Sequence, residues 1–102
     1  MKLLTKELEK QFPPLYANEE KEPKDIKIIA KFFDPTGSWT WFATEFDPKD
    51  RLFFGFVKGF DNELGYFSLD ELQSVKGRFG LGIERDLHFG EHTLEEAMNK
   101  II

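Results

Sequence analysis

The sequence predicts a small α+β protein: a mostly antiparallel meander sheet, with short helices at both termini and one between strands. Two observations lead to this prediction. Between residues 26 and 60 apolar residues follow the spacing of strands, and two turn signals interrupt them. Further on, two Ser/Thr-x-x-Glu motifs mark helix starts. With 102 residues and no internal repeat, a single domain over residues 1–102 is expected.

The amino-terminal segment combines a helix signal with a charged loop. Leu4, Leu8 and Phe12 recur every four residues, as on one face of a helix. The proline pair after Phe12 should end this helix, because proline lacks the N–H donor and clashes with the preceding turn. The stretch ANEEKEPKD, residues 17–25, is charged and without periodicity, and therefore predicts a loop.

Three strand candidates follow, and two turns separate them. The stretches DPTG at 34–37 and DPKD at 47–50 place aspartate first and proline second, as type I β-turns prefer. These turns predict an antiparallel meander. In the first candidate Ile26, Ile28 and Phe32 share a face, which is expected to be buried.

The third strand candidate, LFFGFVKGF at 52–60, is apolar on both faces. Gly55 and Gly59 lie two positions either side of Val57. Because glycine has no side chain, these positions leave room for a neighbouring side chain or helix to approach the backbone.

The last third of the chain predicts two helices with a loop and a strand between them. Ser68 with Glu71, and Thr93 with Glu96, form capping-box patterns, which predict helices that start there. The stretch IERDLHF, residues 83–89, alternates like a strand. The loop before it is predicted by three glycines: Gly77, Gly80 and Gly82.

Composition excludes several kinds of site. The chain has no cysteine, which rules out disulfides, zinc–thiolate centres and thiol nucleophiles. The net charge of −5 weighs against a nucleic-acid surface, because phosphate contacts need clustered lysine and arginine. The first twelve residues lack the hydrophobic region of a signal peptide or membrane span, so a cytoplasmic protein without membrane contact is expected.

The stretch WTWFATEFD, residues 39–47, raises a question of exposure. Strict alternation places Trp39, Trp41 and Glu45 on one face. An exposed tryptophan face would form a stacking platform for bases or for a peptide. The aromatic-rich composition favours the other interpretation, in which both indoles fill a small core and Glu45 pairs with a charged group of another strand.

Arg85 is the most unusual residue of the strand predicted at 83–89, because it shares a face with Ile83 and Leu87. A buried arginine is costly without a carboxylate, and Glu45 and Glu63 are the candidate partners. A structural ion pair between strands is the favoured interpretation. Alternatively, Arg85 would bind a substrate carboxylate or phosphate.

The opposite face of the same predicted strand carries Glu84, Asp86 and His88. Carboxylate and imidazole groups bind hard or borderline divalent metal ions. Such side chains lie about 7 Å apart along a strand, so another element would also have to supply ligands. A solvated face is the favoured interpretation, and no cofactor is expected unless these residues bind a divalent metal.

Three stretches carry a family resemblance: WTWFATE at 39–45, ELGYFSL at 63–69 and IERD at 83–86. With them, nearly the whole chain resembles the small bacterial proteins of the domain-of-unknown-function family 2958. Members of that family tend to be encoded on conjugative plasmids and other mobile elements, beside genes for DNA handling and antirestriction. The resemblance implies an accessory role in such a system. Some relatives carry the label of a single-stranded DNA endonuclease.

Two functions of different classes remain. The first is a non-catalytic interaction module that binds a protein or nucleic-acid partner; it predicts an exposed apolar patch with a polar rim. The alternative is a divalent-metal-dependent nuclease acting on single-stranded DNA, with Arg85 on a phosphate. Its carboxylates, which must converge on the ion, would be Glu45, Glu63, Glu84 and Asp86.

Overall fold

The computed structural model describes residues 1–76 and 80–102, and it shows a five-stranded antiparallel sheet with short helices. The elements are α1 (Lys6–Glu9), a 3₁₀ helix (Pro23–Asp25), β1 (Ala30–Phe33), β2 (Thr40–Asp47), β3 (Leu52–Lys58), β4 (Asn62–Ser68), α2 (Leu69–Ser74), β5 (Glu84–Arg85) and α3 (Leu94–Asn99). The strand order in the sheet is β4-β3-β2-β1-β5. The predicted α+β class is confirmed, with helices towards both ends and one between strands.

The meander from β1 to β3 confirms both predicted turns. The Gly37 N–H donates to the Asp34 carbonyl at 3.2 Å, and the Asp34 side chain accepts from the Thr36 N–H at 2.9 Å. At the next turn the Asp47 side chain accepts from the Lys49 N–H at 3.1 Å. Each aspartate thus closes its own turn through a local bond.

The two edge strands differ from the sequence prediction. No strand is predicted at β4, because the polar Asn62 and Glu63 and the central Gly65 mask its alternation; polar residues are common at an exposed edge. β5 covers only two residues of the strand predicted at 83–89 and pairs with β1. Gly77, in the predicted glycine loop, lies outside the described residues.

Apolar side chains cover both faces of the sheet, and β3 contributes to both through Phe53 and Phe56, as its two-sided pattern predicts. The first cluster, which includes residues of α2 and the amino-terminal segment, consists of Leu3, Leu4, Ala30, Phe32, Ala43, Phe46, Phe53, Phe67, Leu69, Leu72 and Ile83. The second cluster, which includes residues of α3, consists of Ile26, Ile28, Phe42, Phe56, Leu94 and Ala97.

The predicted common face of Ile26, Ile28 and Phe32 is wrong. The Ile28 N–H donates to the His92 carbonyl at 2.9 Å, and the Leu94 N–H donates to the Ile26 carbonyl at 2.8 Å. This segment therefore pairs with the start of α3 and packs in the second cluster. The chain enters the sheet only at β1, where Phe32 belongs to the first cluster.

Both predicted helix starts are confirmed. The Glu71 N–H donates to Ser68 Oγ at 3.1 Å. At α3 the Glu96 N–H donates to Thr93 Oγ1 at 3.3 Å, and the Thr93 N–H donates to Glu96 Oε1 at 3.0 Å, which completes a capping box. In helices of six residues each, these caps satisfy N–H groups that have no partner within the helix.

α1 is shorter than the sequence predicts. It ends at Glu9, and the chain continues in a turn in which the Phe12 N–H donates to the Glu9 carbonyl at 3.1 Å. Within residues 1–76 and 80–102, no helix has the length and apolarity needed to cross a membrane.

The two glycines of the third strand candidate do allow close approaches. A Cβ at Gly59 would lie 2.5 Å from the Trp39 ring, so this glycine admits a side chain, as predicted. At Gly55 the neighbour is backbone: a Cβ there would lie 1.9 Å from the Phe42 carbonyl oxygen of β2.

We expect Gly55→Ala to lower the free energy of unfolding by at least about 2 kcal/mol, because the new methyl group would clash with the Phe42 carbonyl of the neighbouring strand. Gly65→Ala is the matched control, since Gly65 pairs directly with Gly55 and a Cβ there meets no atom within 4 Å. Urea denaturation of the two variants measures the difference. Equal losses would contradict the close approach of the β2 and β3 backbones.

The capping carboxylate of α3 is expected to make stability depend on pH. The Thr93 backbone N–H, and then the His92 side chain, lower the pKa of Glu96 below its ordinary 4.5. A group whose pKa is lower in the folded state stabilises the fold above the unfolded value, and that contribution disappears as the pH falls through the folded value.

Below pH 4.5 the free energy of unfolding should therefore fall less in Glu96→Gln than in the wild-type protein. Urea denaturation between about pH 3 and about pH 7 measures this difference. Glu95→Gln, a change at the neighbouring exposed carboxylate, is the control. Parallel pH profiles for Glu96→Gln and the wild type would count against the cap.

Candidate functional site

A β-bulge in the middle of β2 determines where Glu45 lies. The register with β3 shifts by one residue between Ala43 and Glu45, and Thr44 is the extra residue. The Thr44 hydroxyl donates to the Phe54 carbonyl at 3.1 Å. Because a bulge reverses the alternation, Glu45 comes opposite Phe54 and leaves the face of Trp41. The predicted common face of Trp41 and Glu45 is therefore wrong.

The Glu45 side chain is buried, with 4% of its surface exposed, and it binds backbone groups. Its Oε1 accepts from the Tyr16 N–H and its Oε2 from the Asn18 N–H, both at 2.9 Å. The sequence predicts a charged partner from another strand, and this is wrong. Its partners are the backbone N–H groups of Tyr16, just before the charged loop, and of Asn18 within it. One carboxylate from the centre of the sheet therefore anchors the start of this loop.

Tyr16 stands out in its backbone and in its side chain. Its φ of +73° lies in the left-handed region, where a bulky residue costs roughly 1–3 kcal/mol unless its surroundings hold it in place. The bond to Glu45 supplies such a restraint. Tyr16 is exposed, and a hydrogen bond between the Tyr66 phenol and the Tyr16 side chain, together with some burial, raises the pKa of Tyr66 on β4.

These residues border an apolar cavity of about 450 Å³ between the loop and the second face of the sheet. Its volume lies in the range of about 300–1,000 Å³ that is typical of ligand sites. The lining residues are Tyr16, Asn18, Glu19, Lys21, Pro23, Ile26, Thr44, Glu45, Phe54, Leu64, Tyr66 and Leu94. This cavity, here called the Glu45 cavity, is the candidate site.

Arg85 lies on the first face of the sheet, away from Glu45. It pairs with Phe32 in β1, and its Nη1 donates to the Leu3 carbonyl at 2.7 Å and to the Lys2 carbonyl at 3.2 Å. The predicted ion pair with Glu45 or Glu63 is wrong. Instead, Arg85 holds the amino-terminal segment, whose Leu3 belongs to the first cluster.

The four carboxylates of the nuclease hypothesis do not converge on one point. Glu63 is on β4 and Glu84 on β5, at opposite edges of the sheet. Four strand spacings of about 4.8 Å separate these strands by roughly 19 Å. Asp86 accepts the His88 N–H at 2.9 Å and lies 3.6 Å from Lys31 Nζ.

No group of three or more histidine, aspartate or glutamate side chains in the described ranges is arranged to hold a metal ion. The convergence that the nuclease interpretation requires is therefore not seen.

The two tryptophans lie at the border of the first cluster. Trp41 is half-buried and packs against that cluster, in agreement with the core interpretation. Trp39 is also half-buried. The centroid of its ring lies 5.9 Å from that of the Trp41 ring and 5.5 Å from that of the Phe60 ring. Phe60, at the tip of the β3–β4 hairpin, is 94% exposed.

Sequence reasoning selected Glu45 but missed Tyr16, Leu64 and Tyr66. The selection of Glu45 depended on a carboxylate within an apolar strand, which is a local signal. Leu64 and Tyr66 belong to a strand that was not predicted, and Tyr16 reaches the site only because Glu45 binds its N–H.

The fold and the site define a small antiparallel α+β protein with an apolar cavity next to an edge strand. The family model described as "Protein of unknown function (DUF2958)" matches residues 3–99, and the chain belongs to this family. No curated protein and no solved structure matches the chain.

We expect Glu45→Gln to release the loop at Tyr16 and Asn18, because the amide nitrogen of glutamine would face a backbone N–H. The free energy of unfolding should fall by about 1–3 kcal/mol. Amide hydrogen exchange at these two residues should also become faster. Glu63→Gln is the matched control, since Glu63 is exposed on β4. Unchanged exchange at both amides would show that Glu45 does not anchor the loop.

Proposed function

We propose that this protein is a non-catalytic interaction module that binds an extended segment of a partner protein along β4, beside the Glu45 cavity. One observation carries the proposal: exposed apolar side chains of β4 form part of the wall of the cavity, and β4 is an edge strand. Such an edge binds extended peptides by adding a strand, while a neighbouring pocket selects side chains.

The edge of β4 is suited to strand addition. β4 is seven residues long and pairs with β3 in a continuous register from Asn62 to Ser68. In the described residues no strand pairs with its outer side. Natural edge strands are usually protected by lysine, proline or a bulge, whereas β4 carries only Glu63 as a charge. Its outer N–H and C=O groups are therefore open to a partner backbone.

The side chains near this edge have the character of an interface. Leu64 and Tyr66 are about half exposed on β4, and Tyr16 faces them from the loop. Tyrosine is enriched among the residues that dominate binding energy. Charged residues of the loop, including Glu19 and Lys21, surround this apolar patch, as in the polar rim of a typical interface.

The charge of the protein favours a protein partner over nucleic acid. A net charge of −5 opposes phosphate binding, because that depends on clustered positive side chains. The separation of Glu63 from Glu84 argues against a metal-dependent nuclease, which needs converging carboxylates. Neither a metal nor another cofactor is required for the proposed interaction.

The setting of this interaction is also a proposal, and it is supported by the family resemblance. We place the protein in the bacterial cytoplasm, as an accessory component of a DNA-handling system encoded on a mobile element. The family model leaves the activity open, so the partner has to be found from the chemistry of the site.

Selection from a library of random peptides displayed on phage, followed by NMR titration, tests the proposal. The enriched peptides should be extended and should shift the amide signals of β4 and of the cavity. Leu64→Lys should abolish binding, because it places a charge on the apolar patch. Phe60→Lys is the matched control and should bind normally, since Phe60 is exposed on the hairpin tip outside the cavity.

Two results would overturn the proposal. One is a selection that enriches no peptide, or only peptides whose shifts lie away from β4. The other is a response of the Trp39 and Trp41 indole signals to single-stranded oligothymidylate without any peptide binding, which would favour a nucleic-acid partner.

A further inference from the structure

The Glu45 cavity combines apolar walls with a buried carboxylate. We infer that it binds a lysine or arginine side chain of the partner segment, with the cationic group at Glu45. This inference rests on the proposed function, because β4 holds the segment from which that side chain projects.

Glu45 has acceptor capacity that its own chain does not use. Its two oxygens accept one N–H each, from Tyr16 and Asn18, whereas an ionised carboxylate offers about four lone-pair positions. Across the described residues no lysine, arginine or histidine forms an ion pair with Glu45 within 4.0 Å. Since a buried charge without a counter-charge is costly, a cationic ligand is stabilised here more than at an exposed carboxylate.

The other lining groups also favour a cation. Glu19 and Lys21, which are both exposed, add one carboxylate and one ammonium group, so the buried Glu45 leaves the lining with an excess of negative charge. The hydrogen bond between the Tyr66 phenol and Tyr16 is the largest cause of the raised pKa of Tyr66, and the charges of Glu45 and Glu19 add to it. The two carboxylates make the electrostatic potential beside Tyr66 negative, which disfavours the negatively charged phenolate. The same potential attracts an ammonium or guanidinium group.

The walls match the rest of a basic side chain. Ile26, Phe54 and Leu94 offer apolar surface to the aliphatic stem that carries the charge in lysine and arginine. The rings of Tyr66 and Phe54, whose centroids are 5.0 Å apart, provide aromatic faces for a cation–π contact. An apolar side chain would leave the carboxylate unpaired, and an acidic side chain would meet a like charge.

Small probes test the cavity without a peptide. We expect n-butylammonium and n-propylguanidinium to shift the NMR signals of Thr44 and Glu45 with dissociation constants at least about ten-fold below that of 1-butanol. Butyrate should bind most weakly. The preference for the cations should weaken as salt is added. Equal affinity for n-butylammonium and 1-butanol in the wild-type protein would overturn the inference.

Peptides test the same preference at the edge strand. In a peptide that binds β4, the residue facing the cavity is replaced by lysine, norleucine or glutamate; norleucine keeps the apolar stem and removes the charge. The lysine peptide should bind the wild-type protein at least about ten-fold more tightly than the norleucine peptide. Glu45→Gln should abolish this preference. Glu95→Gln should retain it, because Glu95 is an exposed carboxylate of α3 that neither lines the cavity nor belongs to β4.

The outcomes separate the two proposals. If the lysine and norleucine peptides bind equally and both shift β4, the cationic site is wrong and the proposed function stands. If no peptide binds at β4, the proposed function is wrong, whatever the small probes show. Because the decisive comparison uses the wild-type protein, a loss of stability in Glu45→Gln does not obscure it.

Discussion

The bulge at Thr44 is the constraint on which the candidate site depends. Before the bulge, β2 follows a simple alternation, and Trp41 packs with the first cluster. After it, Glu45 comes opposite Phe54 and lines the cavity beside residues of the second cluster. Without the extra residue, Glu45 would lie on the face of the first cluster, where no N–H group of the loop is in reach to satisfy it.

Two charged side chains attach irregular segments to the sheet by the same principle. Glu45 binds the N–H groups of Tyr16 and Asn18, and Arg85 binds the carbonyl groups of Lys2 and Leu3. In each case a charged group meets the hydrogen-bonding needs of backbone outside regular structure, and the backbone meets those of the charge. Helices of four to six residues can pack only a small surface against the sheet. Hydrogen bonds to these two charged side chains therefore hold segments that helix packing alone would hold weakly.

The candidate site depends on segments that are distant in sequence. The charged loop, β2 and β4 meet because only β3 separates β2 from the edge strand β4, and because the Glu45 anchor brings the loop over the same face. The edge position explains why β4 combines exposed apolar residues with open backbone groups. The interaction that we propose would use the backbone and the side chains of the partner together, which suits a segment that is extended before binding.

Local interactions explain what the sequence by itself determined: the α+β class, the two Asp-Pro turns, the helix starts at Ser68 and Thr93, and the two-sided apolar character of β3. A turn or a cap requires only residues within three or four positions of each other. The partners of Glu45 and Arg85, the strand at β4 and the bulge at Thr44 were decided only by the tertiary structure. Each of these features depends on which backbone groups from distant parts of the sequence come within hydrogen-bonding distance of one another. The spacing of residues along the chain does not give the distance between such groups.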